Sequence, residues 1–485
     1  MIALKLIKKG VCILYDSKKI THNILFVLVA VLMIWQCFLI DVHESDLKPY
    51  PQDITYESQY IKQLDAFLKG QLELDLEVDP KLEGLENPYS PEQRDEAGVT
   101  FHWDHAYFEG KYYSYFGVAP IFTVYLPCYL ITDKLPNEAL VCLVLAISAI
   151  IFMAFAVREA VLTFCKRVNL WLFLAGMASV IAVSGVYMAV LCSDVYYIPV
   201  VSALSCSMAF IFFSLGSVRK KNILFRNIYL VLAAISLTLT VLSRPTVAIM
   251  CVAIFPIFLL IVKQEGFKKS IGSVCSFALP IVLGAAAVMW YNAARFGSVF
   301  DFGASYQLTV CDVSQNELDK SFAFSALFSY FLHPIWETGT ELGIGLSGQL
   351  ALPPESRYVY GDIYAGAFAF ALPTALFFYR RNMEQNARDK DRAKFFTAVK
   401  HSVVLGICAL SCFVAFFDFC YAGVNMRYIY DIVPMLSLSG AFVLLDMQAR
   451  CKGYMKAVMA AVCIVFFIVA IRSGMDVVTI FKERM

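Results

Sequence analysis

Charge is scarce in this chain. Asp, Glu, Lys and Arg make up 16% of its 485 residues, against about 25% in a soluble globular protein, which excludes a water-soluble enzyme and a disordered tail. A basic surplus is missing too. Forty Lys and Arg face 39 Asp and Glu, so nothing in the balance draws nucleic acid. The 15 cysteines contain no CxxC pair, and most, including Cys142, Cys192, Cys206, Cys251 and Cys463, lie inside apolar runs. Such a distribution excludes a disulfide framework and leaves them as small hydrophobes.

What is abundant is apolar surface: 59% of residues are hydrophobic and the mean hydropathy is +0.66. The expected fold class is an all-α polytopic membrane protein. A first apolar run, residues 23–40, follows Lys5, Lys8, Lys9, Lys18 and Lys19 and is not followed by a small-x-small cleavage site. It reads as an uncleaved first span. Further runs able to cross about 30 Å of hydrocarbon start near Glu138, Asn169, Val195, Ile223, Pro245, Ile271, Tyr360, Ser402, Tyr428 and Met455. Residues 116–132 form a shorter run broken by Pro120 and Pro127, giving about 11–12 membrane helices in all.

Charge orients the spans. With a cytoplasmic amino terminus and 116–132 not crossing, the inner segments carry 25 Lys and Arg against 7 Asp and Glu, and the outer segments 15 against 32. That asymmetry is what the positive-inside rule asks. The divisions are then 1–40 (amino terminus and first span), 41–137 (first extracytoplasmic loop), 138–291 (bundle), 292–359 (second extracytoplasmic loop) and 360–485 (carboxy-terminal spans). The inner stretch 380–400 reads as a solvated topology determinant.

The first loop is the most informative. Between Tyr56 and Leu68 the apolar residues Tyr60, Leu64, Phe67 and Leu68 continue one helical face, which predicts a helix lying along the membrane. Residues 72–79 alternate apolar and acidic, as an extended strand does. Seven of the fifteen residues from His102 to Phe116 are aromatic, set on either side of Glu109 and Gly110 as in a hairpin. An interfacial aromatic belt is one explanation. The rings, however, are interleaved with Asp104, Lys111, His102 and His105, and a site that grips a sugar and a phosphate needs flat apolar faces beside donors and acceptors. Trp103, Tyr107, Lys111, Tyr112, Tyr113 and Tyr115 are therefore candidate substrate contacts. His102, Asp104 and His105 have the donor types of a divalent-metal site, although their spacing is no specific signature; a divalent metal is the one cofactor the sequence leaves open.

Other ionisable residues fall at span ends: Asp194, Arg244, Arg295, Asp418, Arg427 and Asp431. Such groups at membrane depth are costly and mark functional positions by default, with Tyr428 beside Arg427. Ordinary alternatives are an i,i+4 pair between Arg427 and Asp431 and solvated helix ends for Asp194 and Asp418. The string GIGLSG at 343–348 spells a dinucleotide fingerprint, but it lacks the strand and helix that fingerprint needs. It reads as a mobile lid loop.

Taken with the strings WDHAYFEGKYYSYFG (103–117), SRPT (243–246), YNAARFG (291–297) and RYIYD (427–431), this layout resembles the GT-C superfamily of integral-membrane glycosyltransferases, especially bacterial protein O-mannosyltransferase-like proteins. The resemblance implies a GT-C-like bundle with two large extracytoplasmic loops carrying juxtamembrane helices. It also implies a bacterial plasma membrane, a polyprenyl-phosphate sugar donor, a glycan, lipid or protein acceptor, and an acidic catalytic base in the first loop. An Asp-Glu pair directly after the first span, shown by many relatives, is absent here, and Asp53 and Glu57 stand nearest that position. The base is thus Asp104, Glu57 or Asp53. Two other classes compete: a flippase or transporter of lipid-linked glycans, which calls for midplane charges and repeated halves, and a non-catalytic envelope scaffold.

Overall fold

The computed structural model describes residues 14–40, 58–165, 167–315, 320, 327, 330–331, 373–374, 390–422 and 426–484. Among these, ten helices are long and apolar enough to cross a membrane. The chain is an all-α polytopic membrane protein. The expected span starting near Tyr360, the GIGLSG string, Asp53, Glu57 and most of the inner loop lie outside the described residues.

Helix α1 (Ile20–Leu39) is followed by the short α2 (Gln59–Leu68), α3 (Pro80–Glu83) and α4 (Pro91–Ala97). A two-stranded hairpin comes next, β1 (Ala106–Phe108) and β2 (Lys111–Tyr113), and then α5 (Leu126–Thr132). The bundle consists of α6 (Glu138–Phe164), α7 (Leu170–Val183), α8 (Val186–Cys192), α9 (Ile198–Arg219), α10 (Ile223–Val241), α11 (Pro245–Cys251), α12 (Phe258–Glu265) and α13 (Phe267–Phe296). It is completed by α14 (Lys390–Ala422), α15 (Met426–Arg450) and α16 (Gly453–Arg484).

Asparagines start several spans. Asn137 Oδ1 accepts from the Leu140 amide at 2.9 Å, Asn169 from Trp171 at 2.9 Å and Asn222 from Leu224 at 2.8 Å, each satisfying an orphan N–H of a first turn. Helices α9 and α15 are almost wholly buried, whereas few residues of α1, α13 and α16 are, as expected of lipid-facing helices. Helix α9 packs on α6 and α10, and α15 on α7 and α14. The span from Leu170 to Cys192 breaks at Gly185, where φ is +84° and an added Cβ would lie 2.5 Å from the Tyr430 ring. Only glycine combines that backbone with that approach.

Ionisable residues gather at the two ends of the bundle. At the end away from the hairpin, Arg219 pairs with Glu159, Arg226 with Glu265, and Asp446 with both Lys400 and Arg450. The helix predicted between Tyr56 and Leu68 is α2, with Tyr60 and Leu64 buried. Residues 72–79 keep their alternation, with Leu74 buried and Asp75 and Glu77 exposed, but pair only once, Leu74 to Tyr112. The apolar segment after the hairpin is a π turn, Ile121–Tyr125, followed by α5, together 12 residues. At 1.5 Å per residue it is too short to span.

The hairpin turn is Glu109 at φ +48° and Gly110 at φ +73°, the paired positive angles of a type I′ connection. Tyr107 sits opposite Tyr112, and Ala106 opposite Tyr113. Leaving the hairpin, the chain presses against the corner between α10 and α11: Ala119 N–H donates to Leu242 O at 3.1 Å, and a Cβ on Gly117 would lie 2.2 Å from Ser243 O. Gly117→Ala therefore forces two backbones apart. The expected loss is about 1–3 kcal/mol, read as a fall in the thermal midpoint of the detergent-purified protein.

Candidate functional site

The hairpin end of the bundle brings together side chains from four distant parts of the chain. Asp104 lies in a tight turn just before β1, with φ +53°, a conformation that Asp tolerates better than most residues. Its backbone is fixed on both sides: the N–H donates to Leu308 O at 3.0 Å, and the carbonyl accepts from Gln59 Nε2 at 2.7 Å. The carboxylate is left to face the bundle. There its Oδ2 accepts a hydrogen bond from the Tyr196 hydroxyl.

Tyr196 belongs to the turn between α8 and α9. Asp194 organises that turn, its Oδ1 accepting from the Tyr196 and Tyr197 amides at 2.8 and 2.9 Å. Burial pushes the Asp194 carboxyl up, while those amides and the Arg427 charge pull it back. The Arg427 guanidinium stands 4.6 Å from the centre of the Tyr196 ring. Tyr115 lies within electrostatic reach of Asp104, Tyr196, Arg427 and Tyr428, and burial pushes its hydroxyl well up. A carboxylate and a guanidinium thus flank one tyrosine.

One turn along α15 a second cation is held. Arg244 Nε lies 2.7 Å from Asp431 Oδ1, and its Nη2 donates to Asp431 Oδ2 at 2.7 Å. The Thr246 hydroxyl donates to the same Oδ2. Tyr428 lies under the Arg244 guanidinium at 5.8 Å. Asp431 thus pairs with Arg244 across helices, where the sequence had suggested Arg427. Asp418 is buried at the same end, and its Oδ2 has no hydrogen-bond partner among the described residues. Immediately after Arg244, Pro245 and Ala248 begin an apolar groove of about 520 Å³, lined also by Val241, Ile281, Ala285 and Phe300.

The remaining candidates are placed differently. Trp103 is half exposed beside Asp104. Tyr107 and Tyr112 are buried with Leu74, Leu82 and Leu308, and Tyr113 with Ala106 and Phe296. Lys111 pairs with Glu73 at 2.9 Å on the exposed edge of the hairpin and holds that carboxyl below the usual range. Arg295 is buried, its guanidinium 3.7 Å from the Tyr291 ring centre and its Nη1 donating to Ser114 O at 2.8 Å. These contacts brace α13 against the strand that leaves the hairpin. Burial pushes His105 down to about 4, so its ring is neutral near pH 7, and its Nδ1 lies 2.8 Å from Trp103 O. The His102 and His105 rings are 5.6 Å apart, and among the described residues no three His, Cys, Asp or Glu side chains converge to hold a metal.

Tyr196 did not enter the set of site residues predicted from sequence. The available signal was position: it lies beside a span end on the side that carries Asp104.

No protein-family profile matches the chain, and no curated protein matches it. Among solved structures, the chain is similar to the apo oligosaccharyltransferase of Archaeoglobus fulgidus, with a TM-score of 0.48 at 12% identity over 94% of this chain and 56% of that one. It thus spans little more than half of that protein's length. It is also similar to ArnT from Cupriavidus metallidurans, both bound to undecaprenyl phosphate (TM-score 0.41, 10% identity) and in the apo state (0.41, 11%), each over 94% of this chain and 75% of that one.

Proposed function

We propose that the chain is a GT-C-type membrane glycosyltransferase that moves a sugar from a polyprenyl-phosphate donor to a cell-envelope acceptor, with inversion. In this reading the hairpin end faces the extracytoplasmic side of a bacterial plasma membrane and the amino terminus is cytoplasmic. The observation that carries it is the juxtaposition of the Asp104 carboxylate and the Arg427 guanidinium on either side of Tyr196, with Arg244 and an apolar groove beside them.

Each part has a role. Asp104 takes the proton of the acceptor hydroxyl as that oxygen attacks the anomeric carbon. The new carbon–oxygen bond forms while the bond to the carrier phosphate breaks, and the polyprenyl phosphate leaves with the electron pair. Arg427, with Arg244 behind it, stabilises the negative charge that develops on the phosphate. Trp103 offers an exposed flat face for a sugar, and the groove takes the first part of the isoprenoid tail. Asp53 and Glu57 remain the other carboxylates proposed for the base. The ionic residues described at the two bundle ends, not at mid-span, favour this reading over an ion-coupled flippase.

The test is incubation of detergent-purified protein with a panel of radiolabelled polyprenyl-phosphate sugars, with and without chelator, following sugar release to water or acceptor. Carrier-dependent release is expected. Binding without release across the panel would turn the reading toward a flippase or scaffold, and loss on chelation would add a metal.

The groove supplies its own check. Ala285 is exposed along its wall, so Ala285→Trp fills the space without disturbing the core. The apparent KM for the donor should rise about tenfold, equivalent to ~1.4 kcal/mol, with kcat little changed, in assays at varied donor concentration.

A further inference from the structure

Tyr196 supplies neither of the two charges the transfer needs, yet it touches both. Its hydroxyl donates to Asp104 Oδ2, and the Trp103 indole lies beside the same hydroxyl. Its ring carries the Arg427 guanidinium at 4.6 Å on one side and meets the Phe116 ring edge to face at 5.7 Å. Its backbone N–H is tied to Asp194. The ring is therefore held in place by a turn, an aromatic neighbour and a carboxylate at once.

Two consequences follow from chemistry. A carboxylate on a turn residue rotates about its side-chain bonds, and a donor fixed on Oδ2 leaves Oδ1 as the oxygen presented to an incoming hydroxyl. A guanidinium over an aromatic face is held in direction as well as distance. One side chain thereby sets the spacing between the group that takes a proton and the group that meets the departing phosphate, and positioning of this kind is where rate is gained or lost.

We propose that Tyr196 is the positioning residue of the transfer: its hydroxyl orients the Asp104 carboxylate toward the acceptor, and its ring holds Arg427 toward the carrier phosphate. The inference rests on the reading of Asp104 as base and Arg427 as phosphate cation. No proton leaves Tyr196. The acceptor proton passes to Asp104 Oδ1, and the tyrosine keeps its own.

The two halves of the role separate by substitution. Tyr196→Phe removes the hydroxyl and keeps the ring; Tyr196→Leu removes both. For Tyr196→Phe, kcat should fall about 10- to 100-fold, the range seen when a hydrogen-bond partner that orients a metal ligand is lost, with the donor KM unchanged within about twofold. For Tyr196→Leu, the same loss in kcat should come with a donor KM raised about tenfold. Isothermal titration with polyprenyl phosphate alone reads the ring half without turnover: wild-type affinity for the Phe variant and about tenfold weaker binding for Leu. Wild-type kcat in the Phe variant, or equal phosphate affinity in the two variants, overturns the proposal. Should the Leu variant not fold, the kcat of the Phe variant decides alone. Asp104→Asn, run in parallel, isolates the underlying reading: activity there removes the base assignment, whereas a dead Asp104→Asn beside a fully active Tyr196→Phe removes only the role of Tyr196.

Discussion

Replacing Asp104 with Asn should abolish sugar transfer while the protein elutes and melts as the wild type does. The substitution keeps shape and hydrogen bonding. An Asn side-chain oxygen still accepts from Tyr196, and the backbone bonds to Leu308 and Gln59 that fix the turn are untouched. What disappears is the ability to take a proton. A general base contributes roughly 10²- to 10⁴-fold, so turnover should fall at least that far in the radiolabelled-donor assay. Retained activity moves the base to Asp53 or Glu57, whose own Asn and Gln variants then become the decisive pair.

The second large effect is on stability. Asp431 has a side chain only 1% exposed, and Arg244 is 18% exposed. Removing the carboxylate in Asp431→Ala strands a guanidinium among apolar helices, and breaking a buried pair in this way costs roughly 3–5 kcal/mol. A steep fall in the thermal midpoint and in the yield of monodisperse protein is expected, measured by size exclusion after a heating series. The double variant Arg244→Met with Asp431→Leu should recover much of that loss, because an apolar pair of similar volume replaces two desolvated charges. It should remain inactive if Arg244 serves the phosphate. The exposed pair Arg472–Asp476, 78% and 39% accessible, makes the contrast: its removal should change stability by less than about 1 kcal/mol.

The membrane helices were legible because long apolar runs with charge only at their ends leave few alternatives. The hairpin was legible for a local reason, since Glu109 and Gly110 sit between aromatic flanks and carry the turn by themselves. The site was less so. Aromatic density from Trp103 to Tyr115 suggests a binding surface, but a strand directs alternate residues to opposite faces, and here both faces of the hairpin are packed. Tyr107 and Tyr112 go to one cluster and Tyr113 to another, leaving Trp103, Asp104 and Tyr115 near the strand ends beside the bundle. Lys111 reads as a substrate contact by its neighbours in sequence, yet its position on the hairpin edge points it to Glu73. Tyr196 was missed because its partner is 92 positions away, and no local spacing encodes a hydrogen bond between a turn and the start of a distant span. The swap of Arg427 for Arg244 as partner of Asp431 has the same origin: adjacency on one helix is visible in sequence, and pairing between helices is not.

The division of labour between the turn and the bundle has a consequence for how such a protein diversifies. Trp103 and Asp104 sit on a short surface turn whose geometry is set by two backbone hydrogen bonds, while Arg244, Arg427 and the groove are carried by helices packed deep against one another. In the proposed transfer, changes around that turn that spare Asp104 and its bond to Tyr196 alter what is offered to an acceptor and leave the carrier side in place. On the proposed reading, small substitutions before β1 should therefore change which acceptor is used, while the helix faces around Arg244 have no such freedom.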